Sequence, residues 1–156
     1  MRYVVVIFTA IAVVGGAFFW SGSETSTASA TARSEVDIVA GEQIYVEYCA
    51  ACHGANLEGQ EDWRSPGEDG RLPAPPHDET GHTWHHPDSL LFDYTKLGGA
   101  ALLAQQGVQL DSGMPGFAEQ LTDAEIHDVL AYIKSTWPER IKKIQAERSK
   151  AEEQQD

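Results

Sequence analysis

The sequence predicts an all-α protein, a helical domain preceded by one N-terminal transmembrane or signal helix. Three observations carry this. Apolar residues recur at helical spacing before residue 50 and again after residue 121, no stretch beyond residue 34 alternates as a strand would, and the chain opens on a long uncharged run. At 156 residues it has room for one ordinary domain. A composition 42% hydrophobic and 22% charged is that of a folded chain.

The uncharged run is Tyr3 to Trp20, 18 residues. As a helix it would span roughly 27 Å, close to the thickness of a bilayer core. Arg2 precedes it and no basic residue follows until Arg33. Positive charge stays on the cytoplasmic side, so the rest of the chain is expected outside, in the periplasm. Small residues for cleavage exist at Ala28-Ser29-Ala30 and Ala30-Thr31-Ala32, but they lie well beyond an apolar run that is long for a signal. An uncleaved inner-membrane anchor over residues 1–20 is the favoured reading, and a cleaved signal with a soluble periplasmic product is the alternative. Residues 21–34 are rich in Ser, Thr and Ala and read as a flexible linker. Such a chain averages roughly 20 Å end to end.

The domain is placed at residues 35–138. Asp37 is a plausible N-cap for a helix reaching about Ala50, with Gly41, Ile44, Tyr45 and Tyr48 on one face. Residues 54–81 are rich in Gly, Pro and Asp and read as loops. A short helix is expected from about Pro87 to Lys96, with Pro87 in its first turn, stopped by Gly98-Gly99. Another is expected over Ala100–Gln106, ended by Gly107. The clearest helix begins at a capping box, Thr122 with Glu125, and a staple, Leu121 with Ile126. Its apolar stripe is Ile126, Val129, Leu130, Ile133 and Trp137, and Pro138 ends it. Residues 139–156 read as a charged helical tail, solvated and fraying, with a Glu139–Lys143 pair.

The formal charge of −13 is concentrated. Residues 36–138 hold seventeen acids against four bases, while the flanking segments balance. Such a surface repels phosphate backbones, which excludes a nucleic-acid partner. It favours partners with a basic docking face.

Two cysteines stand in Cys49-Ala50-Ala51-Cys52, followed by His53. Cys-x-x-Cys-His is the pattern for covalent haem attachment. Two thiols add across the haem vinyl groups, the two-residue spacer sets their separation, and the adjacent imidazole meets the iron. A dithiol redox pair would want a strand before the motif and a helix starting at it, whereas here a helix ends at it. Structural zinc would need two further ligands, which downstream histidines could supply. Met114, in Gly113-Met114-Pro115-Gly116-Phe117, is the only methionine besides Met1. A Gly/Pro-flanked loop suits the presentation of one thioether to a metal, and thioether ligation raises the potential, favouring electron transfer. Both ligands of the iron, His53 and Met114, are thus proposed.

These motifs make the chain resemble a class I cytochrome c, mono-haem, bacterial and membrane-anchored, over about residues 36–138. The resemblance implies one covalent haem c and the class I fold, in which the first and last helices cross through a Gly and aromatics. Gly41, Tyr45 and Tyr132 stand at matching places. It also implies a Pro carbonyl that orients the proximal His, with Pro73 and Pro75 both candidates, and a Met-Pro-x-Phe loop that includes Phe117. Trp84 resembles the Trp that donates its N–H to a haem propionate in some members. The acidic surface departs from the basic haem edge of soluble mitochondrial-type carriers, so their docking rules do not transfer.

His77, His82, His85 and His86 fall within ten residues, near Asp78, Glu79 and Asp88. A copper or zinc site there is one alternative, against a polar loop that is merely His-rich. No general base, nucleophile or substrate-binding set stands beside the haem motif. The expected role is electron transport between respiratory redox partners, alone or as a subunit of a larger oxidoreductase, and not catalysis. The alternatives are a haem-based small-ligand sensor and the copper module.

Overall fold

A computed structural model describes residues 35–154, and every regular element among them is helical. The proposed anchor over residues 1–20 and the linker over 21–34 lie outside the described residues. Among the described residues no helix is long and apolar enough to cross a membrane.

Helix α1 runs Ile38–Ile44, a π-helical turn follows over Tyr45–Cys49, and α2 covers Ala50–His53. Asp37 caps the start as expected, its carboxylate accepting from the N–H groups of Val39 and Ala40. The helical path extends three residues beyond the expected end at Ala50, so the whole Cys-x-x-Cys-His motif is helical. A 3₁₀ turn covers Thr83–His85. Helices α3, Asp88–Leu97, and α4, Gly99–Gln105, follow. Pro87 is the N-cap of α3, one position earlier than expected, and has no side-chain bond to offer its first turn.

Helix α5, Asp123–Ser135, starts with the expected capping box: Glu125 N–H bonds the Thr122 hydroxyl, and the Glu125 carboxylate accepts from Thr122 N–H. Its stripe is buried throughout. Thr122→Ala removes both the acceptor and the reciprocal geometry. It should cost about 1 kcal/mol, read as a lower urea midpoint with an unchanged slope.

The stripe of α5 divides between two apolar clusters. Val129 and Ile133 join Tyr45, Leu57, Trp137 and Ile141, and Ile126 and Leu130 join Leu91 and Leu121. Ile44 packs against both, so the first helix spans them. Helix α1 crosses α5 at Gly41, and Asp37 N–H reaches across to Asp128 Oδ1 at 2.8 Å.

Helix α6, Glu139–Glu153, corrects the reading of the tail as solvated. Ile141 is one turn beyond Trp137 and shares its cluster. Gln145 is 3% exposed, and its amide donates to Asp88 Oδ1, Ser149 Oγ and the His86 carbonyl. Ser149 Oγ accepts from Asp88 N–H at 3.0 Å. Helix α6 therefore supplies α3 with the cap that Pro87 lacks. Ser89 Oγ also bonds the Glu152 carboxylate. Glu139 pairs with Lys142 at 3.1 Å rather than with Lys143. Sequence periodicity could not show this docking, because the face that docks carries one isoleucine, a glutamine and a serine.

Candidate haem-binding site

The motif is built by a change of helical register. Ala50 N–H bonds the carbonyl of Tyr45, five residues back, which inserts one wide turn before the second half of the motif. Tyr45 is fully buried, and its hydroxyl donates to the Gly54 carbonyl at 2.9 Å, closing the helix end. Cys49 is partly buried against the first core cluster, and Cys52 is exposed; both are free thiols. Burial, and then the neighbouring Cys52, push the Cys49 thiol up to about 11. That is the opposite of the low-pKa thiol an exchanging dithiol motif requires.

His53 is 7% exposed and its Nδ1 lies 2.8 Å from the Pro75 carbonyl. A carbonyl only accepts, so Nδ1 carries the proton and Nε2 keeps its lone pair. Burial lowers the pKa of His53 and outweighs the opposing effect of the Pro75 bond. The ring is thus neutral near pH 7, the state in which imidazole binds metals. The carbonyl that meets the ring is that of Pro75, not Pro73. Pro73 lies two residues upstream in the same loop, where its neighbour Ala74 is cross-bonded to Gln60.

That loop is held by a short ladder. Gly59 N–H bonds the His53 carbonyl at 2.7 Å, Gln60 N–H bonds Ala74 O at 2.9 Å, and His77 N–H bonds Leu57 O at 2.8 Å. Leu57 adopts φ 65°, rare for a branched side chain, and its carbonyl accepts from both His77 and Asp78. The His77 ring stacks on His53, with centroids 3.9 Å apart and planes 22° apart.

Met114 belongs to a second group. Its carbonyl accepts from Gly99 N–H at 3.1 Å, while Phe117 and Ala118 N–H bond the carbonyls of Thr95 and Lys96. The Met loop therefore satisfies the open C-terminal carbonyls of α3. It approaches closely because Gly98 and Gly116 lack side chains: a Cβ on Gly98 would lie 2.5 Å from Gly116 N, and one on Gly116 2.6 Å from Leu97 O. Met114 lines an open cleft of about 320 Å³ with Leu97, Ala101, Ser112 and Arg71. Arg71 pairs with Asp111 at 2.9 Å, joining the His-side loop to the Met loop. Phe117 turns toward the second core cluster and meets Tyr48 edge-on at 6.1 Å.

Trp84, expected as a propionate donor, stands in the 3₁₀ turn before α3. Its indole N–H is engaged at 3.3 Å by the Glu79 carbonyl, and its ring stacks on His85. The histidine cluster is corrected as a metal site. His77 stacks on His53, His82 on Trp63 and His85 on Trp84, while His86 meets the His82 ring edge-on at 5.3 Å. Among the described residues no three His, Cys, Asp or Glu side chains converge to hold a metal ion.

Sequence reasoning offers His77 only as one of four clustered histidines, and Tyr45 only as a packing aromatic. Its one usable signal was position: His77 stands two residues after Pro75. The donor set suits a covalent haem: two free thiols three residues apart, a neutral imidazole with a free Nε2, and a thioether beside an open, partly apolar cleft.

The comparisons agree. The family model described as Cytochrome c matches residues 38–137. No curated protein and no solved structure gives a significant match. The matched span begins at the first residue of α1 and ends at Trp137, taking in both groups of donor residues, and the chain accordingly belongs to the cytochrome c family, in the class I form that carries covalent haem c and serves in electron transport.

Proposed function

We propose that this protein is a mono-haem carrier of single electrons between respiratory redox partners at the periplasmic face of the inner membrane. Cys49 and Cys52 are its thioether attachments, and His53 and Met114 its axial ligands. The observation that carries the reading is the His53 ring, neutral and committed through Nδ1 to Pro75, with Nε2 left for a metal. A low-spin haem ligated by imidazole and thioether supplies a one-electron couple with little rearrangement at the metal.

The chain's own groups do the rest. The Pro75 carbonyl fixes the tautomer of His53 and strengthens it as a donor. The backbone bonds of residues 114–118 to α3 and to the start of α4 hold the thioether in place and resist its exchange for another ligand. Among residues 36–138 the four bases are engaged: Arg71, Lys96 and Lys134 with carboxylates, and Arg64 over the Trp63 ring at 3.9 Å. The surplus of acids is what supports partners with a basic docking face, drawn in faster at low ionic strength. The uncharged run after Arg2 supports an anchor that confines the carrier to the membrane surface.

The test is the visible spectrum of the full chain made in cells able to attach haem. The parent should be low-spin in both oxidation states and show the weak far-red band of a Met-ligated ferric haem. Met114→Ala should lose that band, and its reduced form should bind carbon monoxide where the parent does not. A high-spin parent that binds carbon monoxide would replace this reading with that of a small-ligand sensor.

A further inference from the structure

The hydrogen bond to Pro75 holds His53 along one direction, in the plane of its ring. It leaves the ring free to rock about that direction. The face of His77, 3.9 Å away and 22° from parallel, opposes rocking.

His77 is itself fixed from several sides. Its N–H donates to Leu57 O at 2.8 Å, its carbonyl accepts from the Trp137 indole at 2.7 Å, and its Nδ1 lies 2.9 Å from Thr83 Oγ1. The buried Tyr45 ring meets it edge-on at 6.2 Å. Leu57, Trp137 and Tyr45 are core residues, so the platform is anchored in the best-packed part of the domain. A residue needed only to fill this space would be apolar and branched, because a partly buried imidazole costs desolvation that a Leu does not. What an imidazole adds is the bond to Thr83 and a flat face turned to His53.

We infer that His77 is a positioning residue that sets the plane of the His53 imidazole about its bond to the haem iron. The inference rests on His53 being the proximal ligand. The orientation of an axial imidazole governs how unpaired spin is shared around a ferric haem. It is therefore read directly in the paramagnetically shifted haem methyl resonances, whether or not electron transfer changes.

The experiment compares the full-length parent with His77→Phe and His77→Leu in the ferric state by proton NMR. Both replacements are apolar and fill the site, but only Phe presents a flat face. The parent should show strongly shifted ring-proton signals from the ligating His53. His77→Phe should keep the order and spread of the four methyl resonances close to those of the parent. His77→Leu should shift them, changing their spread and their order, while the low-spin spectrum and Met114 ligation persist. Matching methyl patterns in the Phe and Leu variants would overturn the inference while leaving His53 as ligand. Absence of ligand-imidazole signals in the parent would overturn the assignment of His53, and the inference with it.

Discussion

Gly41→Ala should destabilise the folded domain by about 2 kcal/mol, although alanine is the better helix former. Two effects compete. Within a helix, replacing glycine by alanine gains about 1 kcal/mol of propensity. Against this, a Cβ at Gly41 would lie 2.1 Å from the carbonyl oxygen of Asp128, 2.6 Å from its carbon and 3.0 Å from Tyr132 Cβ. The first two neighbours are backbone of α5, which cannot rotate aside as a side chain would. The helices must separate, loosening Tyr45 from Tyr132, whose rings lie 5.5 Å apart, and the Asp37–Asp128 tie between the helices. Overpacking costs about 1–3 kcal/mol, and against fixed backbone at 2.1 Å the cost lies at the upper end, about 3 kcal/mol, which leaves a net loss of about 2 kcal/mol. Urea unfolding of the haem-loaded protein measures the difference. A net gain in stability would mean that the two helices part at this point without cost.

Trp137→Ala should lower stability by about 3–5 kcal/mol, the largest effect expected of any single truncation here. Trp137 is 2% exposed and sits in the cluster with Tyr45, Leu57, Val129, Ile133 and Ile141. Its loss opens a cavity between α5, α6 and the proximal loop. It also removes the indole donor from the His77 carbonyl. Trp137→Phe weights the comparison toward the bond, since it keeps most of the apolar volume and deletes the indole donor. That variant should lose about 1–2 kcal/mol. Equal losses in the two variants would assign the stability to the bond to His77 rather than to packing.

Much of this molecule is legible along the chain because its signals are local. The Asp37 cap, the Thr122–Glu125 box and the stripe from Ile126 to Trp137 each depend on residues within a few positions of one another. Cys49, Cys52 and His53 announce their chemistry because the spacing that haem attachment requires is itself local. Where sequence reasoning failed, the deciding partner lay far along the chain. Helix α6 is docked by Gln145 and Ser149, which look solvated until Asp88, some sixty residues earlier, is brought beside them. The histidine cluster invited a metal because the four residues are close in sequence, yet His77, His82 and His85 stack on three different rings outside the cluster and no three side chains converge among the described residues.

The helical class, the caps, the attachment motif, the identity of Met114 as the one internal thioether, and the acidic charge are all written along the chain. All of these are set by composition and by short-range spacing. That Pro75 rather than Pro73 meets His53, that the Trp84 N–H is engaged by Glu79, that α6 caps α3, and that His77 lies flat on His53 emerge only once the chain is folded. Those outcomes depend on which atoms distant segments bring together, and that choice is made by long-range hydrogen bonds and close backbone approach, which leave no period in the sequence.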